Sequence, residues 1–290
     1  MNTNFFLRSA RVLAGLAVLS VASSAFAAST WVFGDNNPVS ECTAGEVTSG
    51  ACGATISDPG APNLKGFAVS STASGPAFAN ATLTSYPGGL GVQANGTISD
   101  SGSPQHSIDN SGYTDAIVLG FTGYTFDLDA IKIGWKGNSA GVNNGTGADA
   151  DISVFRYTGA EATPTPVGTN IVVSALNADG WELVGNYADL STTNARNVNS
   201  TSKTSSWWLI SAYNATYGTA PVAADQGTVT TNTVTGLQGG NDYFKVLSIA
   251  GTATKVTPPP QGVPEPGSIA LLGLALIGMV AVRRRKQMPL

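Results

Sequence analysis

Histidine occurs once in this 290-residue sequence, cysteine twice, and charged side chains make up only 11 %. Each scarcity removes a class of chemistry. With His106 alone, a Ser–His–Asp arrangement has one candidate base, and no serine sits in anything resembling a nucleophile elbow. Zinc chemistry lacks its His and Cys ligands. No glycine-rich phosphate cradle follows a βα pattern. A paired-carboxylate glycosidase is the enzyme reading that survives, because two carboxylates about 5–9 Å apart suffice. Asp109, Asp115, Asp149, Asp151 and Glu182 could serve it. Long apolar repeats at helical spacing are also missing from the body, which excludes a helical bundle.

Against that sparse background both ends of the chain stand out. Arg8 and Arg11 precede an apolar stretch from Val12 to Val21, followed by Ala25-Phe26-Ala27. This is the pattern of a signal peptide over 1–27, cut after Ala27. At the other end the order is Val263-Pro264-Glu265-Pro266-Gly267-Ser268, a charge-free run from Ile269 to Val282, and the cluster Arg283, Arg284, Arg285, Lys286. As a helix, the fourteen-residue run spans roughly 21 Å, short for a hydrocarbon core of about 30 Å. A terminal helix packed on the body is the alternative. The all-round apolar surface and the four consecutive cations favour a transmembrane helix with its basic flank held on the cytoplasmic side. Two prolines keep Glu265 in an extended, accessible segment before it.

Motif, helix and basic cluster together resemble the PEP-CTERM sorting signal of Gram-negative bacteria. The resemblance implies that an exosortase, an integral membrane protease-transpeptidase, reads the tail over 263–286. The protein is then that enzyme's substrate, exported through the Sec translocon. The precursor is tethered in the inner membrane by a transient contact through the C-terminal helix, and the product goes to the cell surface or extracellular matrix.

Six of the 14 basic residues lie in the two terminal segments, so residues 28–267, which include Glu265 of the tail, carry 8 against 18 acidic residues, a net charge of about −10. Such a surface argues against nucleic acid as a partner. Gly, Ser, Thr and Asn clusters separate short alternating segments, which predicts an all-β domain, a β-sandwich or jelly-roll-like fold, over 28–257. Pro258-Pro259-Pro260-Gln261-Gly262 follows as a stiff proline-rich spacer over 258–262. Cys42 and Cys52, in an exported chain, are expected to form a disulfide, with free thiols or a metal pair as alternatives.

Predicted strands include Trp31–Phe33, Ala116–Phe121, Asp127–Trp135, Asp149–Tyr157, Ile171–Val173, Trp181–Tyr187, Ser205–Tyr213 and Asn241–Ala250. Parity changes between Phe126/Leu128 and Ile131/Ile133/Trp135, which predicts a bulge near Asp129. Trp181, Leu183 and Tyr187 are expected on one face, and Trp207 and Trp208 on opposite faces. Hard oxygen donors gather in two places: Asp109, Asn110 and Asp115 around one strand, Asp149 and Asp151 at the mouth of another. They are candidate ligands for a structural Ca²⁺, with Asx turns as the alternative. His106, Tyr113, Trp135, Trp181 and Trp208 are candidates for a sugar-binding surface.

The series Gln105–Asn110, Ile133–Trp135, Asp151–Tyr157, Trp181–Val184, Trp208–Tyr213 and Asp242–Val246 resembles a family of exosortase-dependent surface proteins. That resemblance implies an extracellular body associated with biofilm or exopolysaccharide, with no assigned activity. The expectation is a non-catalytic exported surface or matrix protein. The alternatives are a lectin-like carbohydrate-binding module, with or without calcium dependence, and a glycoside hydrolase.

Overall fold

The computed structural model describes residues 29–33, 63–70, 77–94, 106–111, 114–121, 123–138, 144–159, 176–231, 235–240 and 242–256. The chain divides into Met1–Lys255 and Val256–Leu290, and every element below belongs to the first unit. The predicted signal peptide, Cys42 and Cys52, Tyr113, the strand at 171–173, the spacer and the sorting tail lie outside the described residues. Among the described residues no helix is long and apolar enough to cross a membrane.

Thirteen strands follow in order: β1 (Ser29–Val32), β2 (Asn63–Ser70), β3 (Ala77–Tyr86), β4 (Gly89–Ala94), β5 (Ile108–Asp109), β6 (Thr114–Gly120), β7 (Tyr124–Lys136), β8 (Ile152–Tyr157), β9 (Trp181–Tyr187), β10 (Arg196–Asn197), β11 (Thr204–Ser205), β12 (Trp207–Ala212) and β13 (Tyr243–Lys255). They build two antiparallel sheets. In the first, β13 lies at the centre and pairs with β7, β4, β1 and β5, while β10 and β11 add to the far side of β7. In the second the order is β2-β6-β12-β8-β9. Strand β3 belongs to both. Its residues 77–80 pair with β2, and residues 81–86 pair with β4 in the other sheet. A strand that changes sheets in this way makes a corner.

One core draws on both sheets. Leu83, Leu90, Phe126, Leu128, Ile131, Ile133, Phe244 and Ile249 from the first cluster with Ile117, Leu119, Ile152, Val154, Trp208 and Ile210 from the second. The Trp208 indole Nε1 donates to the Phe126 carbonyl at 3.0 Å, a bond from β12 in one sheet to β7 in the other. The second sheet buries its other face as well: Ala116, Val118, Phe155 and Leu209, the alternate residues of the same strands, pack with Phe78, Leu176, Trp181, Leu183 and Tyr217. This explains why the segment around Trp207–Ala212 is apolar on both faces.

Bulges decide which side chains enter which core. On β7, Ala130 pairs with Ala250 and Leu128 with Gly251, so Asp129 is the extra residue. It is exposed, and the inward set changes there from Phe126 and Leu128 to Ile131 and Ile133. Opposite this bulge the backbones come very close. A Cβ on Gly251 would stand 1.9 Å from the Asp127 carbonyl oxygen, so only glycine fits. A second bulge corrects the expected face of β9. Val154 pairs with Gly185 but Phe155 with Leu183, leaving Val184 extra. Trp181 and Leu183 therefore pack in the outer cluster, whereas Val184 and Tyr187 point into the core between the sheets.

The irregular segment between β9 and β13 is tied down by buried polar groups rather than by apolar area. The Tyr187 hydroxyl donates to Asp225 Oδ1 at 2.8 Å and accepts from the Asn199 main-chain N–H at 2.8 Å. Asp225 also accepts from the N–H and hydroxyl of Ser200. Asn186 bonds Ser153, Gly218 and Gln226. Tyr187, Asp225 and Asn186 thus find partners for their buried polar atoms, as a loop without ladder bonds requires.

Candidate functional site

Three strands begin or end around one point. Asp149 and Asp151 precede β8, Asp242 precedes β13, and Tyr213 follows β12. The main chain is stitched there: Asp149 N–H donates to the Gly137 carbonyl at 3.1 Å, Tyr243 N–H to the Asp149 carbonyl at 3.2 Å, and Tyr213 N–H to the Asp151 carbonyl at 3.0 Å. This stitching forces three carboxylates together. Asp149, Asp151 and Asp242 are fully buried, and oxygens from all three lie within 4.8 Å of one another.

Each carboxylate is also a fastener. Asp242 Oδ1 accepts from Asp151 N–H at 2.6 Å, and its Oδ2 accepts from the Asn110 side-chain amide. Asn110 Oδ1 in turn accepts from Asp242 N–H at 3.0 Å, and its amide also donates to the Tyr213 carbonyl at 2.9 Å. Asp151 accepts from Asp189 N–H at 2.8 Å on one oxygen and from Gln238 N–H at 3.0 Å on the other. Asp149 accepts from Ala150 N–H at 2.9 Å and from the Gln238 side-chain amide at 3.1 Å.

Three negative charges out of water repel one another, and this arrangement shifts their protonation. Burial pushes Asp151 up from 3.8 to about 7, with the Asp149 charge adding to it. Asp242 is raised well above its ordinary value by burial and by the charges of Asp151 and Asp149. Asp149 is raised by burial, with Gln238, Ala150 and Lys136 working the other way. Near neutral pH the cluster must therefore hold protons or a cation. Its donor set is hard oxygen, and oxygens within 4.8 Å of one another can share one cation at metal–oxygen distances of about 2.4 Å. The carboxylates have lone pairs left for such bonds. The residues thus fit a divalent cation by spacing and type.

Several predicted site residues lie elsewhere. Asp109 makes a local Asx turn, accepting from Ser107 Oγ at 3.0 Å and Ser111 N–H at 3.0 Å. Asp115 is buried but is not one of the converging carboxylates. Of the first predicted group only Asn110 reaches the cluster. Asp242 was missed as a ligand, although it precedes its strand as Asp151 precedes Ile152, and that parallel was its signal in the sequence.

Burial also corrects the sugar-surface candidates. Trp181 and Trp208 are 1 % and 0 % exposed, each sealed in a core by the strand alternation just described. Trp135 stays half-buried, but its ring is covered: the Lys245 ammonium lies 4.8 Å from its centroid and 4.1 Å from that of Tyr86. His106 stacks on the same Tyr86 at 5.5 Å. Burial lowers the pKa of the Lys245 ammonium, and the two rings offset part of that cost.

No curated protein and no solved structure matches the chain. One family model does, over a segment that follows the described body. Residues 262–286 match the PEP-CTERM protein-sorting motif, so the chain carries at its C-terminal end the sorting signal of an exosortase-dependent surface protein.

Proposed function

We propose that this is a non-catalytic exported protein of the cell surface or extracellular matrix, whose tail is an address and whose β-rich body is the cargo. The match at 262–286 carries this reading. The tail delivers the precursor to the inner membrane of a Gram-negative cell. Glu265, between Pro264 and Pro266, marks the segment an exosortase reads, and Arg283–Lys286 stop the chain from passing through. The signal peptide (1–27), body (28–257), spacer (258–262) and tail (263–286) divide the work, and a Cys42–Cys52 bridge pins the first loop of the body. The two sheets with their shared core are read as a β-sandwich. Fractionation tests the address. In cells lacking the exosortase, the tail-bearing form accumulates in the inner membrane; an unchanged distribution overturns the proposal.

The body's part in this reading is durability outside the cell, aided by a calcium ion held by Asp149, Asp151 and Asp242. Three buried carboxylates with oxygens within 4.8 Å of one another support it. The ion would neutralise the charge and leave the main-chain bonds of the cluster in place. Chelation should lower the unfolding temperature, and an unchanged temperature would remove calcium from the account.

A further inference from the structure

At the opposite end of β8 and β12 from the acidic cluster, a cleft opens that no role above uses. It has a volume of about 250 Å³, and its walls include Arg156, Tyr157, Thr158, Thr204, Ser206 and Trp207. We propose that this cleft binds a saccharide bearing a carboxylate group, one acidic sugar residue of a longer glycan.

Charge is the first argument. Arg156 and Lys203 converge on one acid: Arg156 Nε and Nη2 donate to Glu182 Oε2 at 2.9 and 2.6 Å, and Lys203 Nζ to Oε1 at 2.7 Å. Burial alone would raise the Glu182 carboxyl, but the Lys203 and Arg156 bonds outweigh it and hold it below its usual value. Two cations thus meet one firmly ionised carboxylate here, in a body (28–257) where acids outnumber bases 17 to 8.

The second argument is hydrogen-bonding capacity. A guanidinium has five N–H donors. Arg156 spends two on Glu182 and one, from Nη1, on the Thr204 carbonyl at 3.0 Å. One N–H on each terminal nitrogen remains, on a side chain 25 % exposed. That suits a single carboxylate, the planar anion that arginine recognises best. Around it stand hydroxyls that donate to the protein and still offer lone pairs: Thr158 to the Gly180 carbonyl at 2.9 Å, Ser206 to the Tyr124 carbonyl at 2.7 Å. A polyhydroxylated ring can use them.

Rigid aromatic faces supply the third argument. The Trp207 ring lies directly on Gly120, where an added Cβ would come within 2.4 Å of the indole. Tyr157 lies likewise on Gly159, at 2.4 Å, and meets Trp181 edge-on at 5.5 Å. Both rings are half-buried and held in place before any ligand arrives, which lowers the entropy cost of binding. The C–H face of a sugar ring suits such surfaces. The other aromatic group, Tyr86 with Trp135, already has its cation in Lys245.

The proposal rests on the preceding reading only in placing the body among extracellular glycans. Its test uses purified protein, so the two can fail separately. The full-length chain, in a mild detergent, is titrated calorimetrically with tri-galacturonate, its neutral methyl ester and acetate. Tri-galacturonate should bind, with affinity at least tenfold above either comparator. Arg156→Gln should reduce that affinity at least tenfold. Arg156→Lys, which keeps the charge but loses the planar fork, should reduce it severalfold with the fold retained by thermal unfolding. Lys245→Gln, at the other aromatic group, should leave it unchanged. Absence of binding overturns the proposal, as does equal binding of the methyl ester or of acetate. So does full affinity in both Arg156 variants.

Discussion

The Asp242 carboxylate accepts the main-chain N–H of Asp151 at 2.6 Å, across 91 residues of sequence. One side chain at the start of β13 thereby fixes where β8 begins, and brings the third acid to the cluster.

Stability should fall as pH rises, in the absence of divalent cations. Asp151 binds its proton more tightly folded, at about 7, than at its ordinary 3.8. The folded state therefore holds more protons than the unfolded state between those values. Stability is fully present below about pH 4 and is lost as pH rises through 7. Thermal unfolding in chelator should show a decline of roughly 5 °C or more across that window. Millimolar Ca²⁺ at pH 8 should restore it, by about 2.7 kcal/mol when calcium is a hundredfold above its Kd.

Asp242→Asn separates charge from hydrogen bonding. The amide keeps an oxygen for Asp151 N–H and removes one buried negative charge, while the Asn110 amide loses its acceptor on residue 242 and keeps the Tyr213 carbonyl. The variant should match or exceed the parent's stability at pH 8 in chelator, and lose most of its response to calcium. Asp242→Ala instead leaves Asp151 N–H unpaired and should cost about 1–3 kcal/mol relative to Asp242→Asn. Chemical denaturation of the three proteins, with and without calcium, measures both effects.

The bond between the sheets can be tested at Trp208. Trp208→Phe keeps most of the apolar volume but removes the indole N–H bond to the Phe126 carbonyl, at a cost of about 0.5–1.5 kcal/mol. Trp208→Ala adds a cavity in the shared core and should cost about 3–5 kcal/mol. Urea midpoints distinguish them, and an unchanged midpoint in Trp208→Phe would mean that the hydrogen bond contributes nothing.

Gly251→Ala probes the close approach of β13 to β7. The new methyl would meet the Asp127 carbonyl oxygen at 1.9 Å, and the backbone must move to admit it. A loss of about 1–3 kcal/mol is expected, whereas Gly239→Ala, with open space around its Cβ position, should cost little.

Local pattern carried much of the fold. The parity change around Asp129 is visible because β7 alternates cleanly on either side of it, and the two apolar faces of β12 declare a central strand. The β9 bulge was illegible because Trp181-Glu182-Leu183-Val184-Gly185-Asn186-Tyr187 alternates in sequence as if regular. Only its pairing with β8 shows where the register slips. The acidic cluster was half legible: Asp149 and Asp151 stand together at a strand mouth, but Asp242 joins them through tertiary pairing. Asp109 and Asp115 carry the same chemistry in the sequence and are kept apart by the sheet. For the tryptophans, alternation shows that Trp207 and Trp208 face opposite ways but not that both faces of their sheet are covered.

The central place of β13 in the first sheet has a consequence for the order of assembly. A chain emerges from its N-terminus, so β1, β4, β5 and β7 all appear before the strand that they pair with. Until the residues up to Lys255 are available, those strands keep unpaired main-chain edges, the condition that invites wrong partners. The matched sorting motif begins only seven residues after Lys255. Completion of the sheet and arrival of the sorting tail are thus nearly one event. A chain truncated before β13 would lose the keystone of the sheet and the address together.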